Sequence, residues 1–231
     1  MRVAQFGQPF VTEQVADIDL GDDVYVGLFV GSHNADVTET GVFRDVRISV
    51  PAPEGLVPYK QYLGSRIEVL EAATGTREIV YTSPNSLQAP NWRPDGKSLV
   101  YNSGGLMYNF DLASRQPVVL PTGAVKNNNN DHVLSFDGKM LGLSSGVEKL
   151  GGSIVPSAGG KEVRLTTATG LDDGPEYTPD GKYIYFNSNR TGTMQIWRMK
   201  ADGSAQEAIT KGDFQDWFPH VSPDGKWIAF V

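Results

Sequence analysis

The sequence predicts an all-β protein, a β-propeller of four-stranded antiparallel blades, and three observations carry the prediction. An Asp-Gly-Lys turn between two runs of alternating apolar residues occurs four times in the 231 residues. The four copies are almost equally spaced along the chain. No long stretch carries apolar residues at helical spacing, so almost no helix is expected.

The spacing of the turns gives the size of the repeat. Their aspartates are Asp95, Asp137, Asp180 and Asp224, which lie 42, 43 and 44 residues apart. A period near 43 residues has room for four short strands and their turns, the size of one propeller blade. The repeat therefore predicts blades arranged around a channel.

Each turn has the chemistry of a β-hairpin. Its aspartate can accept a hydrogen bond from the backbone two residues on, and its glycine can adopt a positive φ. Proline precedes three of the aspartates and presets the turn, whereas Phe136 replaces it in the second copy. The glycines for which a positive φ is predicted are Gly96, Gly181 and Gly225.

A second strand pair follows each hairpin, and one such pair, Arg66 to Tyr81, precedes the first turn. The chain is therefore expected to hold an outer half-blade, three whole blades and an inner half-blade. Their approximate bounds are 64–82, 86–123, 128–168, 171–212 and 215–231.

Residues 61–231 resemble the TolB-like β-propeller family. Its repeats carry a Pro-Asp-Gly-Lys turn, an aromatic second strand, and Asn-Arg-x-Gly before an Ile-Trp strand. In this chain the matching segments are Pro179 to Lys182, Tyr183 to Phe186, Asn189 to Gly192, and Ile196-Trp197. The combination is specific for the fold and weak for function, because propellers serve many unrelated functions.

The first fifty residues have a different pattern. Residues 1–49 resemble the last strands of a concanavalin-like or laminin-G-like jelly roll, a fold that accompanies carbohydrate-active and cell-surface proteins. Residues 50–60 contain three prolines and are predicted to form a stiff linker.

A strand is predicted directly after the fourth turn, and the sequence ends inside that strand, at Val231. Propellers of this family usually close a ring of about six blades, so we expect an incomplete ring and a chain that is a piece of a longer protein. The alternative is a closed four-bladed ring, in which Trp227–Val231 would pair with Arg66–Val69.

Alignment on the Asp-Gly turns predicts a ligand-binding rim. The innermost strands of a propeller border its channel, and the loops that lead into them form one rim. Polar and aromatic residues from different blades should converge there, while the Trp92, Tyr177 and Val221 positions should pack between blades. The alternative is that these loops are polar because they are exposed. The predicted rim residues are Gln88, Asn91, Asp131, His132, Asp173, Glu176, Trp217 and His220.

Several other motifs have simpler explanations. Gly142 to Gly146 matches the nucleophile elbow of hydrolases, but that motif needs a following helix. The aspartates between Asp17 and Asp23 could hold calcium, although a solvated turn is favoured. Asn189-Arg190-Thr191 is a glycosylation sequon that coincides with the family turn. The histidines, His33, His132 and His220, are too few for the metal cluster of oligogalacturonate lyases, so no metal or other cofactor is expected.

Composition limits the function. The net charge of −7 and the pI near 5.0 argue against nucleic-acid binding, no apolar run reaches 18 residues, and cysteine is absent. The resemblance implies a non-enzymatic module that recognises a protein, a small molecule or a glycan, in the periplasm or outside the cell. The alternative is the propeller portion of a carbohydrate-active enzyme or peptidase whose catalytic part lies outside this stretch.

Overall fold

The computed structural model divides the chain into two compact units, Met1–Pro51 and Ala52–Val231. It describes residues 2–3, 11–12, 27–28, 30–32, 34–43, 52–57, 60–145 and 152–231. In the first unit, β1 (Arg2–Val3) pairs antiparallel with β2 (Val11–Thr12). Most of the predicted jelly-roll remnant lies outside the described residues, and so do Asp17 to Asp23 and His33. The jelly-roll and linker assignments remain predictions.

The second unit consists of antiparallel sheets that follow one another along the chain. Half-blade 1 holds β3 (Ser65–Leu70) and β4 (Arg77–Ser83), and half-blade 5 holds β17 (His220–Val221) and β18 (Ile228–Ala229). Blade 2 holds β5 (Gln88–Trp92), β6 (Ser98–Ser103), β7 (Leu106–Asp111) and β8 (Gln116–Leu120). Blade 3 holds β9 (Asn128–Leu134), β10 (Met140–Ser145), β11 (Gly152–Pro156) and β12 (Val163–Arg164). Blade 4 holds β13 (Asp172–Tyr177), β14 (Tyr183–Ser188), β15 (Gln195–Lys200) and β16 (Glu207–Ala208). No helix occurs among the described residues, so the all-β prediction is confirmed.

The Asp-Gly turns have the predicted geometry. In each copy the aspartate Oδ1 accepts a hydrogen bond from the backbone N–H of the lysine two residues on, at 2.9 to 3.1 Å. Gly96, Gly181 and Gly225 have φ of 66°, 68° and 69°. In three copies a hydroxyl two residues before the aspartate also donates to it, and these are Ser135, Thr178 and Ser222. These bonds lower the pKa of Asp137 and of Asp180 to about 2.

Successive turns also touch across blades. A Cβ placed on Gly138 would lie 2.8 Å from Cγ of Pro94 in the preceding blade, and one on Gly225 would lie 3.7 Å from Cδ of Pro179. Gly181 meets nothing within 4 Å. Its preceding turn is the copy in which Phe136 stands in place of proline. The proline of one turn therefore covers the glycine of the next.

Apolar side chains fill the spaces between sheets. Val100 and Met107 of blade 2 pack against Leu141 and Leu143 of blade 3, and all four are fully buried. The second strands β6, β10 and β14 are buried on both faces, because a sheet covers each side of them. Removing one such leucine side chain would cost about 2–5 kcal/mol. These strands therefore hold the blades together.

The Asn-Arg-x-Gly segment forms a buried connection inside blade 4. The Arg190 guanidinium donates to Asp172 Oδ1 at 2.7 Å and to Ser188 Oγ at 2.8 Å, and it also bonds Gln206. It lies 4.7 Å from the ring centroid of Trp197. The family motif thus ties the start of β13 to the end of β14 and to the outer strands.

The innermost strands β5, β9, β13 and β17 lie side by side in chain order. Three of these strands have a residue with left-handed backbone in or just before them: Ala89, Gly174 and Phe218, with φ of 47°, 58° and 52°. Each lies six residues before the aspartate of the following turn. Register shifts in the pairing of β5 and β13 mark bulges at these positions. Bulges of this kind redirect neighbouring side chains, here along the channel side of the sheets.

Half-blades 1 and 5 do not join. β18 pairs with β17 and β3 pairs with β4, and no backbone pairing between β3 and β18 is found among the described residues. The expected incomplete ring is therefore confirmed and the closed four-bladed alternative is wrong for this structure. Trp227 and Phe230, which directly precede and follow β18, are exposed.

One packing prediction is wrong. Tyr177 and Val221 are buried between sheets, but the side chain of Trp92 at the equivalent position is 51% exposed. Trp92 lies on the first innermost strand, and half-blade 1 before it contains only two strands, so no described inner strand covers the ring.

Candidate functional site

A cleft of about 720 Å³ lies along the innermost strands. Its walls come from β5, β9, β13 and the segment that leads into β17, so three blades and half-blade 5 contribute to it. The residues that line it are Asn91, Trp92, Arg93, Pro94, Asn130, Asp131, His132, Val133, Leu134, Ser135, Phe136, Gly174, Pro175, Glu176, Phe218, Pro219 and His220. Carboxylates, two histidines and large apolar side chains thus share one concave surface.

Asp131 and Asp173 bring negative charge to adjacent blades. Asp131 projects from β9, and the Asp173 carboxylate of β13 accepts a hydrogen bond from Asn129 Nδ2 at 3.0 Å. Burial, together with the neighbouring Asp173 charge, raises the pKa of Asp131 to about 7. In the described part of the chain, no lysine or arginine side chain lies within hydrogen-bonding distance of Asp131. This carboxyl group is therefore poorly compensated at neutral pH.

Glu176 links β13 to half-blade 5. Its Oε1 accepts a hydrogen bond from the Val221 N–H at 3.4 Å and lies 4.0 Å from His220 Nδ1. Burial raises the pKa of Glu176, and the Val221 hydrogen bond and His220 partly oppose that rise. The His220 side chain itself is mostly exposed, so it can reach a bound molecule.

His132 on β9 and Asn91 on β5 also line the cleft. Asn91 Nδ2 donates to the backbone carbonyls of Ala89 at 3.0 Å and of His132 at 3.3 Å, which joins β5 to β9. His132 is 6% exposed, and neither ring nitrogen has a hydrogen-bond partner of good geometry among the described residues. Burial lowers the pKa of His132, so its imidazole is neutral near pH 7.

Phe218 lines the cleft, and its backbone is in the left-handed region, with a φ of 52°. A bulky residue with positive φ costs about 1–2 kcal/mol. Its backbone N–H donates to Oδ1 of Asn187, a fully buried residue of blade 4, at 2.9 Å. The Phe218 ring also lies 5.9 Å from that of Trp217. Asn187 thus fixes the segment that leads into half-blade 5.

The structure brings five of the eight predicted rim residues to this cleft, and the other three are not part of its lining. The five are Asn91, Asp131, His132, Glu176 and His220. Gln88 instead accepts a hydrogen bond from Asn102, Asp173 lies behind Asp131, and the Trp217 indole donates to Gln215. The alignment missed the apolar part of the lining, which consists chiefly of Trp92, Phe136, Pro175, Phe218 and Pro219. Phe136 could have been found, since it interrupts the proline pattern.

The other sequence motifs do not join the cleft. Ser144, from the hydrolase-like motif, lies within strand β10 and is 1% exposed, and no helix follows it among the described residues. Asn189 Oδ1 accepts a hydrogen bond from the Leu171 N–H, which is a structural role for the sequon. Within the described ranges, no three His, Asp or Glu side chains are arranged to hold a metal ion. Nor does any helix in that part of the chain have the length and apolarity to cross a membrane.

Radially packed antiparallel sheets, with their innermost strands beside one another along a cleft, define the class as a β-propeller. The TolB beta propeller domain family matches residues 135–231. An uncharacterized protein from Agrobacterium fabrum is 38% identical to this chain in an alignment that covers 72% of this chain and 73% of that protein. The chain belongs to the TolB β-propeller family.

Two further relatives carry the TolB name. The Tol-Pal system protein TolB from Bordetella pertussis is 31% identical over 143 residues, covering 59% of this chain and 32% of that protein. The crystal structure of TolB from Acinetobacter baumannii has a TM-score of 0.63 at 25% identity, covering 72% of this chain and 42% of that one. The chain thus matches less than half the length of either TolB protein.

Proposed function

We propose that this chain is a non-enzymatic recognition module that binds a protein partner in its innermost-strand cleft. The observation that carries the proposal is the convergence of Asp131, Glu176, His220 and Phe218, from three different sheets, on one concave surface. Side chains from separate blades meet at a propeller channel, where a bound molecule can contact all of them at once.

The cell envelope is the proposed compartment, and a component of the Tol-Pal system is the proposed partner. The support is the name of the Bordetella relative, a Tol-Pal system protein. Within the envelope we propose the periplasm, on the basis of the family resemblance and of that relative's name. We further propose that residues 1–49 form a separate domain, residues 50–60 a linker and residues 61–231 the propeller.

The absence of catalysis is part of the proposal and rests on the lining. A nucleophile must be placed beside a base, and a general base must reach the proton that it removes. The serine of the elbow-like motif, Ser144, lies in the interior of blade 3 rather than in the cleft. The lining instead combines aromatic, proline and carboxylate groups, which suits binding.

Binding of the Pal component encoded in the same genome tests the proposal. Isothermal titration calorimetry should detect a complex with the full chain. The Phe218→Ala and Glu176→Gln variants should each weaken it about tenfold or more, the range for central interface residues. Val118→Ala, on the exposed outer strand β8, is the matched control and should bind as the unmodified chain does. Absence of binding, or equal weakening by Val118→Ala, would contradict the proposal.

A further inference from the structure

The cleft offers a partner a largely apolar contact surface. Trp92, Phe136 and Phe218 line it and are 51%, 44% and 44% exposed. Pro175 and Pro219 lie between them along the innermost strands. Exposed large apolar side chains grouped on a concave surface indicate an interaction site, because single exposed ones are common but clusters are rare.

The same cleft carries negative charge, and among the described residues no lysine or arginine side chain pairs with its carboxylates; Glu176 has the His220 imidazole 4.0 Å away. Asp131 and Glu176 line it, and the Asp173 carboxylate lies behind Asp131. Arg93 also lines the cleft, but its guanidinium donates to Asn109 Oδ1 at 2.6 Å and to the Ser157 carbonyl at 2.6 Å. The arginine is thus engaged in joining blades 2 and 3, and it does not neutralise the carboxylates.

We propose that the occupant is an extended apolar segment of a protein partner, which places one arginine or lysine side chain against Asp131 and Asp173. The inference rests on the proposed function and names the chemistry of the partner at that site. The apolar side chains of the segment pack on Trp92, Phe136 and Phe218. Charge complementarity selects a cation, and the cleft volume of about 720 Å³ accommodates several side chains rather than a single ion.

Proton exchange follows from this arrangement. The free cleft holds Asp131 with a raised pKa, so a fraction of the molecules carry a proton there at neutral pH. An arriving cation favours the ionised carboxylate and lowers that pKa. Binding should therefore release protons near pH 7, and the affinity should rise as the pH rises from about 6 to 8.

The first experiment uses the Pal component with the full chain. Asp131→Asn and Asp173→Asn should each weaken binding about tenfold, the range for removing one member of a partly buried charge pair. Asp202→Asn, at the outer turn of blade 4, is the control and should have no effect. Titrations at pH 7 in two buffers of different ionisation enthalpy should give different heats, because protons are released. Unchanged affinity in both cleft variants, or equal heats in the two buffers, would overturn the inference even where Pal binds.

The second experiment does not depend on Pal. The peptide Gly-Pro-Trp-Arg-Pro-Gly is compared with its counterpart in which neutral citrulline replaces arginine, by chemical-shift changes in the ¹⁵N-labelled chain. The arginine peptide should bind at least about fivefold more tightly, and Asp131→Asn should abolish that preference. Equal affinity of the two peptides, or no binding of either, would overturn the inference. Failure of Pal to bind together with an arginine preference would contradict only the proposed function.

Discussion

Replacing Arg190 with methionine should destabilise the propeller by about 3–5 kcal/mol, the cost of leaving a buried carboxylate without its cation. The Asp172 side chain is 2% exposed and the Arg190 side chain 12% exposed. Methionine fills a similar volume but donates no hydrogen bond to Asp172, Ser188 or Gln206. It also removes the guanidinium from the face of Trp197, a contact worth about 0.5–1 kcal/mol.

Two further variants separate charge from packing. Arg190→Lys keeps a cation but loses the planar fork that reaches three acceptors, so its loss should be smaller than that of Arg190→Met. Adding Asp172→Asn to Arg190→Met removes the isolated charge and should recover about half of the lost stability or more. A buried pair contributes little by itself, whereas one unpaired member is costly.

Urea unfolding followed by tryptophan fluorescence measures these differences. The midpoint should fall with an unchanged slope, and the melting temperature should drop by roughly 6–20 °C for a unit of this size. A loss below about 1 kcal/mol for Arg190→Met, or no recovery in the double variant, would refute the role given to the buried pair.

Three more predictions concern the turns and the cleft. Gly181→Val should cost about 1–3 kcal/mol because φ is 68°, whereas Gly212→Val, at a position with open space and no positive φ, should cost little in thermal unfolding. The pKa of Asp180 is depressed to about 2, so the stabilisation from its ionised carboxylate is present above about pH 4 and is lost as the pH falls through about 2. Asp180→Asn should therefore lower the unfolding midpoint at pH 7. The difference in midpoint between the variant and the unmodified chain should become smaller toward pH 3. The raised pKa of Asp131 makes the chain less stable as the pH rises from about 4 to about 7, so Asp131→Asn should stabilise it by about 1 kcal/mol at pH 8, allowing for partial exposure, and have no effect at pH 4.

The hairpins were predictable because their chemistry is local. An aspartate that bonds the backbone two residues on, and a glycine that tolerates positive φ, are both contained in the three letters Asp-Gly-Lys. The near-constant spacing then gave the strand order and the bounds of the blades. The packing of Trp92 was predicted wrongly for the opposite reason: its burial depends on which strands lie in the sheet before it, and that is not a local property.

The cleft was only partly predictable. Aligning the turns placed Asn91, Glu176 and His220 together, because residues at equivalent positions of successive innermost strands face the same channel. The left-handed backbone at Ala89 and Phe218 could not be read from the sequence, since neither residue is a glycine. The hydrogen bond from the Phe218 N–H to Asn187 in the neighbouring blade stabilises this backbone conformation, which would be strained for phenylalanine but not for glycine.

Pro94 contacts Gly138 and Pro179 contacts Gly225, so a single sequence repeat of this propeller is not a self-contained unit that can be exchanged between proteins. A cut at the sequence period separates each proline from the glycine that it covers, because the two belong to successive repeats. A blade transplanted into another propeller would carry its proline to a new neighbour and leave its own glycine uncovered. Because every cut between two successive turns divides such a pair, modules for engineering or recombination should contain at least two successive turns, so that a proline travels with the glycine it touches.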